Sequence, residues 1–167
     1  MKKIAILVLI FVLITTLILV SGCGSTTTLI QGNPNNPGNV VSTHTPILVP
    51  ESQNLVNGAI TVKANGSYYQ QFTVTSSMRN PVVSGSFKAS GGSGNDIIVY
   101  IFDSINYTNW SNGHQSSAFY NSGQVTVQNI NTSLAPGSYY LVFDNTFSTL
   151  TSKVVTTTIN LNYDVMQ

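Results

Sequence analysis

The stretch "VVTTTINLNYDV", Val154–Val165, decides the fold. Val155, Thr157, Ile159, Leu161, Tyr163 and Val165 fall on one side of an extended chain. Val154, Thr156, Thr158, Asn160, Asn162 and Asp164 fall on the other. Successive side chains of a strand point to opposite faces, so this period of two is a strand with one buried face. Upstream, "SLAPGSYYLVFDN" sets a Pro-Gly turn before another strand, and "DIIVYIF" is apolar on both faces, as expected of a central strand covered on both sides. "VVSGSFKA" puts Val83, Gly85, Phe87 and Ala89 on one face, and "YYQQFTVTS" puts Tyr68, Phe72 and Val74 on one face. "NLVNGAITVKA" runs into a turn at Asn65-Gly66, and "SSAFYNSGQVTVQNI" reads as two short strands around a turn at Asn121-Ser122-Gly123. "SGGSGN" is a loop and "DSINYTNWSNGHQ" a long irregular stretch; no helical periodicity is visible. About eight strands in roughly 110 residues, each bounded by Gly, Pro, Asn or Ser, predict an all-β antiparallel β-sandwich of jelly-roll type.

Charged residues make up only 7 % of the chain and the net charge is +1. A nucleic-acid binder needs a basic surface to neutralise phosphates, so that class is excluded. Polarity comes from Ser, Thr, Asn, Gln and Gly instead. The first segment, "MKKIAILVLIFVLITTLILVSGCGS", has a positive start at Lys2 and Lys3 and an apolar run from Ile4 to Val20. The run is short for a bilayer span of about 20 residues and fits a signal peptide. "VSGC", Val20–Cys23, resembles the lipobox of prokaryotic lipoproteins, in which small residues admit the processing peptidase and the Cys thiol carries the lipid. Residues 1–22 are therefore read as a lipoprotein signal peptide and Cys23 as the lipidation site, with the mature protein extracytoplasmic and anchored to the cell membrane. Cys23 is the only cysteine, so the fold rests on its core without a disulfide. Residues 23–52 hold Pro34, Pro37, Pro46 and Pro50 among Gly and Asn, and read as a flexible tether that also carries His44. Residues 53–167 form the folded domain.

One region resembles a known family. Gly137, Tyr139, Phe143, Asp144, Asn145, Phe147, Ser148, Lys153, Val154 and Val155 are similar to the C-terminal half of a GOLD (Golgi-dynamics) domain, the lumenal domain of early-secretory-pathway cargo receptors. That pattern has a Gly-x-Tyr strand, a Phe closely followed by Asn, a Phe-Ser step, then Lys-Val-Val into the last strand. The resemblance covers about Asn54 to Tyr163 and is most specific at this corner. It implies a β-sandwich and a role in protein or lipid recognition. The chain departs from the family in two respects. Val142 stands where the family has the later Cys of a disulfide, and the early one falls near "SYYQQF", which has none. The family's coiled coil, transmembrane helix and coat-binding tail have no counterpart after Val165, so the trafficking function is not carried over.

The corner itself, Phe143, Asp144, Asn145, Phe147 and Lys153, reads first as structural. Asp and Asn suit turns because their side chains bond nearby backbone. Phe143 and Phe147 are expected to cap the open end of the sandwich, with Lys153 near Asp144. The alternative is a ligand-contacting corner.

No acid–base constellation of the kind catalysis needs is recognisable, and no cofactor is expected. Asp96, Asp103 and Asp144 lie at strand ends; they are either turn caps or a weak calcium site. Tyr107, Asn109, Trp110 and His114 gather in the irregular stretch. An aromatic ring with amide neighbours is a means of gripping a sugar; otherwise Trp110 is a lid over the sandwich. The sequence thus predicts a lipid-anchored, non-enzymatic cell-surface module that recognises a protein or lipid partner through its loops or a sheet edge. The alternative is a carbohydrate-binding module built on Tyr107 and Trp110.

Overall fold

The computed structural model describes residues 45–167, residue 93 excepted. Residues 1–22, read above as a signal peptide, and Cys23 and His44 lie outside the described residues. Strands β1 (Leu48–Val62), β2 (Ser67–Val74), β3 (Arg79–Ser90) and β4 (Ile97–Asp103) are followed by a helix, α1 (Ser104–Ser111). Then come β5 (Tyr120–Val125), β6 (Val127–Ser133), β7 (Gly137–Asp144) and β8 (Lys153–Met166). They form two four-stranded sheets, ordered β1-β8-β3-β6 and β2-β7-β4-β5, and every pairing is antiparallel. The all-β sandwich predicted from the alternation is present. β1 pairs with β8, β2 with β7, β3 with β6 and β4 with β5. The chain is thus a folded-back ribbon whose successive strand pairs alternate between the sheets, which is the jelly-roll arrangement.

The period of two explains which residues meet between the sheets. Val155, Thr157, Ile159 and Leu161 of β8 are buried while Val154, Thr156 and Thr158 are exposed. Val83, Phe87 and Ala89 of β3 lie beside them in the same sheet, and Phe72 and Val74 of β2, Ile97, Val99 and Ile101 of β4 and Leu141 and Phe143 of β7 join the core from the other sheet. Gly85 sits where β3 crosses close to β8. A Cβ there would lie 2.0 Å from the Thr158 carbonyl oxygen, at a φ of +149° that side chains avoid. Only glycine lets the two backbones approach that closely.

Three local expectations need correction. β1 begins at Leu48, so residues 48–52 belong to the sheet and not to the tether. Pro50 does not break the strand, because β1 is an edge strand and a proline's missing N–H is tolerated there. Asn121-Ser122-Gly123 is not a turn between strands but a bulge inside β5, where the register to β4 shifts between Ile98 and Tyr100. Gly123 takes φ +63°, Asn121 Oδ1 accepts the Gly123 N–H at 2.8 Å, and Ser122 Oγ accepts the Val99 N–H at 2.8 Å. The bulge therefore replaces a ladder bond with a side-chain bond.

The third correction is α1, which lies in the stretch read as irregular. Its boundaries are set by capping. The Asp103 carboxylate accepts the Asn106 N–H at 2.7 Å, satisfying a donor that the first turn leaves open. At the other end Gly113 N–H bonds to the Trp110 carbonyl at 3.0 Å and His114 N–H to the Asn109 carbonyl at 2.9 Å, with Gly113 at φ +72°. This is a Schellman motif with glycine in the left-handed position. No residue of α1 is buried, which is why no apolar periodicity marked it.

Candidate functional site

β4 shows its other face to α1. Tyr100 and Phe102 point away from the core and stack on each other at 5.0 Å between ring centroids. Trp110 stacks on Phe102 at 5.7 Å with 29° between planes. Tyr107 stacks on Tyr140 of β7 at 4.0 Å and 4°, and lies 5.3 Å from the ring of Tyr69 on β2. Tyr107 and Trp110 are three residues apart, so one helix face presents both to the sheet. Trp110 is half-buried. It is a lid, over the outer face of the sheet and not over the inter-sheet core.

A cleft of about 300 Å³ opens where this aromatic layer ends. Tyr107, Trp110 and Ser111 form one wall; Asn65, Gly66 and Ser67, in the connection from β1 to β2, form another; Thr146, just after β7, completes it. The β2–β7 register brings these walls together, since Ser67 pairs with Asp144. The residues lining the cleft carry no formal charge at neutral pH. Burial, followed by the neighbouring Tyr69 and Tyr140, pushes the Tyr107 hydroxyl above the ordinary phenol range, so it stays protonated.

The corner beside the cleft is tied by backbone-directed bonds. Asn145 is fully buried, and its Nδ2 donates to the carbonyls of Lys63 at 3.0 Å and Thr151 at 2.9 Å. Its backbone N–H bonds to the Gly66 carbonyl, and Asn65 N–H to the Ser148 carbonyl. Asp144 Oδ1 accepts the Thr146 N–H at 2.8 Å. Phe143 is fully buried, edge-on to Phe87 at 6.4 Å between centroids. Phe147 does not cap the sandwich end: it is 36 % exposed, and Leu150 in the same loop is 91 % exposed. Lys153 is 1 % exposed and pairs at 2.9 Å with Asp96, not with Asp144.

The sequence-level candidates separate accordingly. Tyr107 and Trp110 border the cleft. Asn109 serves the helix end through its carbonyl, and His114 is exposed in the turn after α1. The three aspartates do not assemble a calcium site. Asp103 caps α1 at one end of β4, whereas Asp144 pairs with Ile98 at the other, and Asp96 is held by Lys153. The two ends of the seven-residue β4 are held about 20 Å apart by the rise of an extended chain. Among the described residues no three His, Cys, Asp or Glu side chains converge. Hydrogen bonds from Gln124 and then Lys153 hold the Asp96 carboxyl below the usual carboxylate range. Asn65, Ser67, Ser111 and Thr146 were missed. Asn65-Gly66 was readable as a turn, but nothing local connects it to Trp110.

No known protein-family model matches the chain, and no curated protein does. Among the described residues no helix is long and apolar enough to cross a membrane.

Proposed function

We propose that this chain is a non-catalytic, GOLD-like recognition module, held outside the cytoplasm by a lipid on Cys23, whose partner docks at the Tyr107–Trp110 cleft. One observation carries the reading: a cleft walled by fixed aromatic rings, hydroxyls and an amide, mounted on a rigid sandwich. Loops and short elements on a rigid scaffold are where binding residues concentrate. The nearby carboxylates of Asp96 and Asp144 are engaged in structural bonds, and His114 is not part of the cleft lining. The GOLD likeness rests on the sequence pattern of the Tyr139–Val155 corner.

A protein or lipid partner would cover the cleft together with the exposed loop of Phe147 and Leu150, which follows the cleft residue Thr146. A glycan would meet the cleft, and its polar, uncharged lining favours that second reading. Two experiments test the proposal. Cys23→Ala should abolish incorporation of labelled fatty acid, and label retained on that variant refutes the anchor. The full chain, crosslinked in its own cell envelope, should capture a partner, and Ser111→Arg should lose it. Equal capture by both proteins removes the cleft from recognition.

A further inference from the structure

The cleft's chemistry narrows what it can hold. Its volume, about 300 Å³, lies at the lower end of the ~300–1,000 Å³ typical of small-ligand sites. Its aromatic wall is immobilised from behind, because Trp110 rests on Phe102 and Tyr107 on Tyr140. A ring fixed in that way offers contact area with little ordering cost on binding. Around it stand only neutral hydrogen-bonding groups: the Asn65 amide, the hydroxyls of Ser67, Ser111 and Thr146, and the phenol of Tyr107. Asn65, Ser67, Ser111 and Thr146 are all exposed; Ser111 Oγ donates to the Thr108 carbonyl at 3.0 Å and offers a ligand its acceptor side, while the other three can exchange water for a ligand.

Each ligand class can be matched against that lining. A phosphate or carboxylate needs a cation or a concentrated set of N–H donors, and the lining supplies no cation. A metal ion needs several oxygen ligands, usually with carboxylates among them, and the lining has none. A purely apolar tail would strand the rim's hydroxyls without partners. A neutral sugar satisfies both halves. Its C–H face packs on aromatic carbon, while its hydroxyls both donate to and accept from Ser, Thr and Asn.

We infer that this cleft binds one unit of a neutral glycan, the sugar ring against the Tyr107–Trp110 wall and its hydroxyls on Asn65, Ser67, Ser111 and Thr146. This rests on the recognition-module reading and assigns its ligand class. It makes the corner and the β1–β2 turn part of one site: the register that pairs Ser67 with Asp144 builds the polar rim, and α1 supplies the aromatic wall.

Trp110 is the chain's single tryptophan, so its emission reports on the cleft directly. The full chain in detergent micelles is titrated with neutral gluco-, manno-, galacto- and chito-oligosaccharides, and in parallel with uronic-acid oligosaccharides. A saturable change in emission is expected with at least one neutral series and none with the anionic one. Ser111→Arg and Thr146→Arg place bulk in the cleft from exposed positions, so folding is retained. Each should weaken binding by about tenfold or more, a change of about 1.4 kcal/mol at the least. Binding of anionic sugars alone, or unchanged affinity in both variants, overturns the inference. Silence across all neutral series also overturns it. If the envelope crosslink still captures a protein, only the glycan assignment falls; if that capture fails as well, the recognition reading falls with it.

Discussion

Asn145 shows how much one side chain can organise. Its amide nitrogen joins the carbonyl that precedes the β1–β2 turn to one in the β7–β8 loop, so two distant loops share a single donor group. Its carboxamide oxygen is buried without a hydrogen-bond partner among the described residues. Removing the side chain leaves two carbonyls unpaired but also removes that oxygen, and Asn145→Ala should cost about 1–3 kcal/mol. Asn145→Asp should cost more, because a carboxylate has no donor and sets negative charge against both carbonyls. Urea melts of the two variants give the order, and an alanine variant as stable as the wild type would show that the staple contributes nothing. Phe143→Ala should cost about 3–5 kcal/mol by opening a cavity against Phe87, a large share of a typical ~5–15 kcal/mol total. The Asp-Asn turn chemistry was legible in the sequence. Asn145's particular carbonyl partners were not, since they come from residues 82 and 6 positions away.

At the scale of elements, what could be read depended on whether a face is buried. β8 and β3 each bury one side, and their alternation predicted which residues enter the core. α1 buries no residue and left no periodic trace, although both its caps are written in the chain: Asp103 before it and Asn112-Gly113 after it. The bulge in β5 was misread for a related reason. Asn, Ser and Gly mark a departure from regular backbone, but a turn and a bulge call for the same residues. The caps make a testable statement about the aromatic wall. Gly113→Ala forces a side chain into the left-handed region and should destabilise by about 1 kcal/mol, with loosening of Trp110 visible as a red-shifted emission. Gly113→Asn should be milder, because asparagine tolerates that conformation. Equal melts for alanine and glycine would mean that the end of α1 is not held by this cap.

For the whole molecule, the sequence conveyed two-layered strand architecture but not strand order, because order follows from pairings between distant segments. The ion pair makes the point. Lys153 opens β8 in one sheet, while Asp96 immediately precedes β4 and Gln124 lies in β5, two strands of the other sheet. Proximity in sequence had suggested Asp144 as the partner of Lys153; the fold brings Asp96 there instead and so ties sheet to sheet. The Asp96 carboxyl is held below its ordinary value of 3.8, so its charged form is favoured in the folded protein. A carboxylate with a depressed folded pKa adds stability that is fully present above the unfolded value. That contribution fades as pH falls through the lower folded value. The urea midpoint should therefore be flat from about pH 7 to pH 5 as far as this group is concerned, and should fall below about pH 4. Asp96→Asn should lower the plateau at pH 7 by on the order of 2 kcal/mol. That is less than the ~3–5 expected for breaking a fully buried pair, because Asp96 keeps 19 % exposure and asparagine still offers an acceptor. The same variant should lose part of the acid slope, because it no longer has a carboxyl to titrate there. An Asp96→Asn protein whose midpoint falls with acid as steeply as the wild type would place the acid sensitivity elsewhere and leave the inter-sheet pair without a role in it.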